Sequence, residues 1–299
     1  MHIPRNLKKG DTIGILSTAR KINADALQFT INLIESWGLN VVLGSSIGLE
    51  HHQFAGTAEQ RLANFQEFLD DDRIDAILCA RGGYGTMQII DQIQWGHFLK
   101  NPKWICGFSD VTVLHSHLSA MGVASIHSSM PSLFPSEIDH ETLHSMRRAL
   151  MGEKNEIHFF KSELNKSGNS EGLLVGGNLS LIYALQGSDS DIDTNGKILF
   201  LEDLDEYLYH IDRMMISLDR AGKLKGLKGL LIGGMTAMKD HEIPFGSSVE
   251  EIILSTCKPY NFPVYFNFPA GHLAFNFALK FNCPAKIEVK ENEILFQQL

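Results

Sequence analysis

A lone serine stands where an apolar run meets a helical pattern, in the stretch KWICGFSDVTVLHSHL at residues 103–118. Gly107 precedes Ser109 by two positions, and this order resembles the strand–turn–helix in which a nucleophilic serine is exposed. A helix N-terminus there also offers backbone N–H groups to a developing oxyanion. This arrangement, the nucleophile elbow, usually has a second glycine two residues after the serine, but here that residue is Val111. Serine is also a preferred helix N-cap. The local residues leave two interpretations open, a capping serine and a nucleophile.

A glycine-rich stretch, RGGYG at residues 81–85, follows another apolar run. Consecutive glycines allow close backbone approach and unusual dihedral angles, which suits an anion or oxyanion site. A plain tight turn explains the same residues. The stretch lacks the G-x-G-x-x-G spacing, and the sequence contains no G-x-x-x-x-G-K-[ST], so nucleotide binding is not favoured.

A histidine and a group of carboxylates complete the candidates for acid–base chemistry. His272 follows Gly271 after an apolar stretch, where it is either a general base or a surface histidine. Glu202 stands near the end of KILFLED, with three further acidic residues directly after it: Asp203, Asp205 and Glu206. Local sequence does not choose among these acids, and the chain order Ser, acid, His carries little weight by itself.

The segment HETLH at residues 140–144 fits the zinc-binding pattern H-E-x-x-H. Arg147 and Arg148 follow it closely, and no third ligand follows at short spacing, so its context argues against zinc. The two histidines of HSH, at positions 115 and 117, point in different directions on a helix. These histidines therefore do not favour a metal site.

Short apolar runs alternate with helical patterns through the first half of the chain. This alternation predicts a parallel sheet covered by helices on both faces. Ligands of such sheets bind at the carboxyl ends of the strands, where RGGYG and GFSD both lie. Thr57 and Gln60 predict a capping box at the start of one helix, and Ser247 and Glu250 predict a second.

The expected fold is α/β, with an N-terminal three-layer parallel-sheet domain and a smaller, mixed α/β, strand-rich C-terminal domain. The N-terminal domain spans residues 1–150 and carries Ser109. Residues 151–172 are polar and weakly patterned, so we interpret them as a linker. The C-terminal domain, residues 173–299, carries the acidic cluster and His272.

Composition excludes several classes of protein. The 26 basic and 35 acidic residues give a formal net charge of −9, which disfavours nucleic acid and anionic membrane surfaces as partners. No apolar run is long enough to span a bilayer, and the first residues lack the apolar core of a signal peptide. The four cysteines show no C-x-x-C spacing, and two of them lie in predicted buried strands. We therefore expect a soluble cytoplasmic protein.

Taken together, these motifs resemble the LD-carboxypeptidase family of serine peptidases, which includes muropeptide LD-carboxypeptidases and microcin C immunity peptidases. The resemblance extends nearly end to end and is carried by these segments: GDTIGIL, ARGGYGT, NPKWICGFSDVTVLH, GGNLSLIYAL, ILFLEDLDEYLYHIDRMMISLDRAGKLKGLKGLLIGG and PVYFNFPAGHLAFN. The chain departs from the family at HSSM, residues 127–130, and after Asn276. Substrate selectivity could be set at both places.

The resemblance implies roles that local sequence leaves open. Ser109 would be the nucleophile, His272 the base and Glu202 the third member of the triad. The backbone N–H groups of Asp110 and Gly83 would form the oxyanion hole. The implied reaction is hydrolysis, through an acyl-enzyme, of the bond between an L-centre and a C-terminal D-amino acid in a murein peptide, as in cell-wall recycling. The resemblance implies that this reaction uses neither a metal nor an organic cofactor.

Three alternatives stay open at this point. The first, within the family, is an immunity-type peptidase that cleaves peptidyl-nucleotide antibiotics of the microcin C kind. The others are a non-catalytic protein that binds small molecules and a zinc peptidase at HETLH. The expected partner is a small peptide substrate, and the resemblance adds a possible homodimer.

Overall fold

The computed structural model describes residues 1–134, 139–291 and 293–298. Its strands in chain order are β1 Thr12–Leu16, β2 Asn40–Leu43, β3 Ala76–Cys79, β4 Trp104–Gly107, β5 Ser125–His127, β6 Asn155–Phe160, β7 Ser170–Asn178, β8 Ile198–Leu204, β9 Gly229–Thr236, β10 Val264–Tyr265, β11 Leu279–Phe281, β12 Pro284–Val289 and β13 Glu293–Gln298. Its α-helices are α1 Gln28–Ser36, α2 Ala58–Asp70, α3 Thr112–Ala120, α4 His140–Met151, α5 Leu179–Ala184, α6 Leu208–Arg220 and α7 Val249–Cys257.

The first sheet has six strands in the order β11-β5-β4-β3-β1-β2. Every neighbouring pair is parallel except β11 and β5, which run antiparallel. Apolar side chains of α1 and α4 pack on one face, and those of α2 and α3 pack on the other. The strands are short and almost wholly buried because both faces are covered. The predicted three-layer α/β domain is confirmed.

The second sheet has seven strands in the order β10-β9-β8-β7-β12-β13-β6. The pairs from β10 to β7 are parallel, whereas those from β7 to β6 are antiparallel. The helices α5, α6 and α7 cover one face. The other face packs Phe200 and Phe268 against Phe281 of β11, a strand of the first sheet, so the two cores adjoin. The predicted mixed, strand-rich region is confirmed.

Three local features differ from the sequence predictions. The segment 151–172, interpreted as a linker, contains β6 and the first residues of β7. β6 is an edge strand whose buried and exposed residues alternate, which is the strand pattern, but the polar residues around this short segment led to its interpretation as a linker. The second capping box lies at Ser248 and Glu251, one residue after the predicted pair, whereas the box at Thr57 and Gln60 is confirmed. The domain boundaries at 150 and 173 stay predictions.

Among the helices of residues 1–134, 139–291 and 293–298, none is both long enough and apolar enough to span a bilayer.

Candidate active site

Ser109 lies at the turn between β4 and α3, at the carboxyl edge of the first sheet. Its φ is +59°, in the left-handed region that a residue with a side chain rarely adopts. Residues 109–111 form one 3-10 turn whose N-cap residue is Phe108, and no side chain caps that turn or α3. The capping interpretation of Ser109 is therefore wrong. Strained backbone of this kind costs about 1–3 kcal/mol and concentrates at functional sites.

The strand end before Ser109 is fixed by glycine geometry and two hydrogen bonds. Gly107 has φ +151°, and a Cβ there would lie 2.8 Å from Cγ2 of Val111. Val111 occupies the position of the elbow's second glycine, so Gly107 provides the space for the tight turn. The Gly107 carbonyl accepts hydrogen bonds from His115 Nε2 and from the Ser128 N–H. Burial lowers the pKa of His115 to about 3, so it acts as a neutral donor.

The RGGYG stretch forms a turn directly beside Ser109. A Cβ built on Gly82 would lie 3.5 Å from Ser109 Oγ. The next element of the loop is tied to the elbow, because the buried Asp110 carboxylate accepts a 2.9 Å hydrogen bond from the Thr86 N–H. Burial is the main cause that raises the pKa of Asp110, against the hydrogen bonds of Thr86 and Gly85. Asp110 thus couples the elbow and the glycine turn.

Glu202 and His272 lie in direct contact at the carboxyl edge of the second sheet. The Nδ1–H of His272 donates a 2.6 Å hydrogen bond to Oε2 of Glu202, which also accepts the backbone N–H of His272 at 3.1 Å. Glu202 is wholly buried in β8, and the His272 side chain is 17% exposed. Burial lowers the pKa of His272, but the hydrogen bond and charge of Glu202 and the charge of Asp203 outweigh it, so the pKa is raised.

The neighbouring acids have other partners. Asp203 accepts hydrogen bonds from Asn178 Nδ2 and from the Ser180 and Leu204 N–H groups. Burial and the charge of Glu202 raise its pKa to about 7. Asp205 pairs with Lys239, and Glu206 pairs with His210. Of the four candidate acids, Glu202 is the one in contact with His272.

Two contacts bring the halves of the site together. The ring of Phe108, next to Ser109, packs on the His272 ring with centroids 4.9 Å apart. Thr112 Oγ1 accepts the Asn178 N–H at 3.0 Å, and Asn178 Nδ2 donates to Glu202 at 3.3 Å. The described residues show no hydrogen bond between Ser109 and His272. A cavity of about 580 Å³ opens at this junction, with a mostly apolar lining: Phe108, Leu133, Leu204, His272, Leu273 and Ala274.

Comparison with known proteins places the chain in a family. Residues 13–128 match the LD-carboxypeptidase N-terminal domain, and residues 171–287 match the LD-carboxypeptidase C-terminal domain. The chain belongs to the LD-carboxypeptidase family. It is therefore a carboxypeptidase, a peptide hydrolase of a serine peptidase family.

Relatives and solved structures of this family extend over nearly the whole chain. A probable murein peptide carboxypeptidase of Bacillus subtilis is 32% identical over 98% of this chain and 94% of its own. The muramoyltetrapeptide carboxypeptidase from Oxalobacter formigenes is 25% identical, with a TM-score of 0.87, over 96% of this chain and 98% of its own. The microcin C7 self-immunity protein shares the fold, with 20% identity and a TM-score of 0.86 over 99% and 98%.

The other groups that the sequence of this LD-carboxypeptidase family member offered for chemistry have structural partners or lie on the surface. His140 and His144 are exposed on α4, and the described ranges contain no group of three His, Cys, Asp or Glu residues placed to hold a metal ion. Both HSH histidines contact neighbouring groups: His115 binds Ser125 and the Gly107 carbonyl, and His117 contacts Ser190 and stacks on Trp95. The four cysteines are buried free thiols, and burial raises the pKa of Cys79 to about 12. A thiolate nucleophile is therefore disfavoured.

Sequence reasoning assigned no role to two asparagines that organise the site. Asn178 caps α5 and links Thr112, Glu202 and Asp203. Asn276 Oδ1 accepts the Gly271 N–H at 2.7 Å and lies 3.0 Å from Nε2 of the buried His127, so it fixes the loop that carries His272. A polar cap residue directly after an apolar strand was the available signal for Asn178. Nothing local marks Asn276.

Proposed function

We propose that this carboxypeptidase hydrolyses the amide bond between an L-centre and a C-terminal D-amino acid in murein peptides. Ser109 would be the nucleophile, His272 the general base and Glu202 the acid that orients the imidazole. The proposal rests first on the 2.6 Å contact between His272 Nδ1 and Glu202, because it leaves Nε2 as the basic nitrogen. The packing of His272 on Phe108 supports the choice of Ser109.

The reaction follows from these roles. His272 Nε2 takes the proton of Ser109 Oγ as the oxygen attacks the scissile carbonyl, and the buried carboxylate of Glu202 stabilises the imidazolium. The tetrahedral oxyanion accepts hydrogen bonds from the backbone N–H groups of Asp110 and Gly83. His272 then protonates the leaving amine, which departs as the free D-amino acid. Water hydrolyses the acyl-enzyme by the same steps, and no metal or organic cofactor takes part in this scheme.

The substrate class is supported by two relatives whose names specify murein peptides. The mostly apolar cavity beside His272 has room for a short peptide rather than a folded protein. The microcin C7 self-immunity protein shares the fold, so cleavage of a peptidyl-nucleotide is the alternative to test. A cytoplasmic location and a homodimer stay predictions.

A release assay tests the function. The wild type, Ser109→Ala and His272→Ala are each incubated with a murein tetrapeptide and with a peptidyl-adenylate analogue, and the released D-amino acid or nucleotide is quantified. We expect release of the D-amino acid by the wild type and near-background rates in both variants. Cleavage of the peptidyl-adenylate alone would instead assign the immunity role, and cleavage of neither would refute the substrate class.

A further inference from the structure

Two arginines flank the glycine turn beside Ser109. The side chain of Arg20 lies over Gly83, since a Cβ built there would be 2.5 Å from its Cδ and 2.6 Å from its Nε. Arg81 precedes the two glycines, and its Nη1 donates a 2.9 Å hydrogen bond to the Lys21 carbonyl. Both arginine side chains belong to exposed residues. Two guanidinium groups therefore border the turn that carries Gly83.

The charge of this pair is not balanced nearby. Within residues 1–134, 139–291 and 293–298, neither Arg20 nor Arg81 forms an ion pair. Glu50 lines the same cavity as Arg81, but it pairs with Lys21. The carboxyl group of Asp110 is buried and accepts the Thr86 N–H, and it forms no ion pair with either arginine in the described ranges. An uncompensated positive site in a chain of net charge −9 favours an anionic group of a ligand.

Hydrogen bonds hold the backbone of Arg20 and the guanidinium group of Arg81 beside the turn. The Arg20 N–H donates to the Gly82 carbonyl at 3.4 Å, and residue 20 also bridges to Phe54. Arg81 also lines a cavity of about 390 Å³, together with Pro131, Ser132 and Phe134 among others. The planar guanidinium group offers parallel N–H donors that match the two oxygens of a carboxylate.

A carboxypeptidase must recognise the free end of its substrate. The terminal carboxylate lies one residue beyond the scissile carbonyl, and one residue spans only about 3.8 Å. A cation that recognises it must therefore lie next to the oxyanion donors, as Arg20 does next to Gly83. We propose that Arg20 and Arg81 bind the C-terminal carboxylate of the peptide substrate. This inference rests on the proposed function and adds the group that makes the enzyme an exopeptidase.

The test compares two substrates that differ in charge alone, a murein tetrapeptide and the same peptide with a C-terminal carboxamide. The enzymes are the wild type, Arg20→Ala, Arg81→Ala and the double variant, with Arg220→Ala as a control at an exposed arginine of α6. We expect a roughly ten- to hundredfold loss of kcat/KM on the free acid for each single variant, and much smaller losses on the carboxamide. Arg220→Ala should match the wild type on both.

The ratio of the two rates within one protein is the decisive quantity, because any unfolded fraction cancels from it. In the double variant this ratio should approach one. If the double variant keeps the wild-type ratio, Arg20 and Arg81 do not bind the carboxylate, although the proposed function still stands. A wild type that releases no D-amino acid from the free acid overturns the proposed function itself and this inference with it.

Discussion

The two sheet edges that meet at the site differ in the kind of chemistry they carry. At the edge of the first sheet, burial lowers the pKa of His115 to about 3 and of His127 to about 4, and raises the pKa of Asp110, so all three groups are driven toward the neutral form. At the edge of the second sheet, Glu202 overcomes burial and raises the pKa of His272. The first edge supplies fixed geometry and the second supplies ionisable charge.

With the proposed roles of Ser109, Glu202 and His272, this division gives each sheet its own task. A nucleophile in a strained turn and a set of backbone donors work best in a rigid, neutral frame. A general base must instead change its charge during each turnover, so it needs a carboxylate that stabilises the charged form. Changes at the two edges should therefore have different signatures in activity, pH dependence and stability.

A large difference in kcat is expected between variants of the two adjacent acids of β8. Glu202→Gln removes the charge that orients His272 and should lower kcat by about 10³- to 10⁴-fold. Asp203→Asn is the matched control and should cost less than about tenfold, because Asp203 contacts α5 rather than His272. Steady-state kinetics on the tetrapeptide measure both. Equal losses would remove Glu202 from its proposed role.

At the edge of the first sheet, Asp110→Ala should lower kcat by roughly 10- to 100-fold, because the glycine turn would lose the contact that positions it beside Ser109. It should also reduce the free energy of unfolding by about 1–3 kcal/mol, because the buried Thr86 N–H loses its acceptor. Asp110→Asn keeps one acceptor oxygen and should recover much of both losses. Kinetics and urea unfolding provide the measurements, and a shifted pH profile in Asp110→Asn would contradict a purely geometric role.

The pH dependence of kcat/KM reports the titration of His272 at the edge of the second sheet. His272 must be neutral to accept a proton, and its pKa is raised, so activity should fall as the pH drops through a value above the ordinary 6.5 of histidine. In Glu202→Gln the remaining activity should persist to lower pH, since burial then acts without the carboxylate. The charged His272 stabilises the fold below pH 6.5, and that contribution is lost as the pH rises through the raised pKa.

The smallest effect concerns the histidines of the neutral edge. At pH 6, ¹⁵N spectra of the imidazoles should show His115 and His127 neutral and His272 largely charged. Because the unfolded chain binds protons near pH 6.5 and these two buried rings do not, their contribution to stability decreases as the pH falls from 6.5 toward 4. A charged His127 at pH 6 would contradict the claim that burial keeps the histidines at the edge of the first sheet neutral.

The sequence predicted most of the fold because its signals are local. Apolar runs mark β3, β4 and β8, and the Thr57–Gln60 pair marks the start of α2. β11 joins the first sheet from the far end of the chain, and such a pairing depends on long-range packing that no local pattern records. The second capping box was predicted one residue too early, because Ser247 and Ser248 are each followed three residues later by a glutamate.

The site was predictable to a smaller degree. The positions of Ser109, Glu202 and His272 followed from resemblance to a family, and their roles stay predictions. Local sequence favoured neither Glu202 over Asp203 nor a strained backbone at Ser109, because both depend on which side chains meet in space. The loop contact of Asn276 joins residues about 150 positions apart and has no local signature.

The central claim is that Ser109 is the nucleophile of a site assembled from both sheets. The most direct measurement is the rate of D-amino acid release from the tetrapeptide by Ser109→Ala, beside Ser116→Ala as a matched serine on α3 whose buried hydroxyl makes no hydrogen bond to the described residues. We expect a loss of roughly 10⁴- to 10⁶-fold for Ser109→Ala and wild-type release for Ser116→Ala. Near wild-type release by a folded Ser109→Ala would contradict the account.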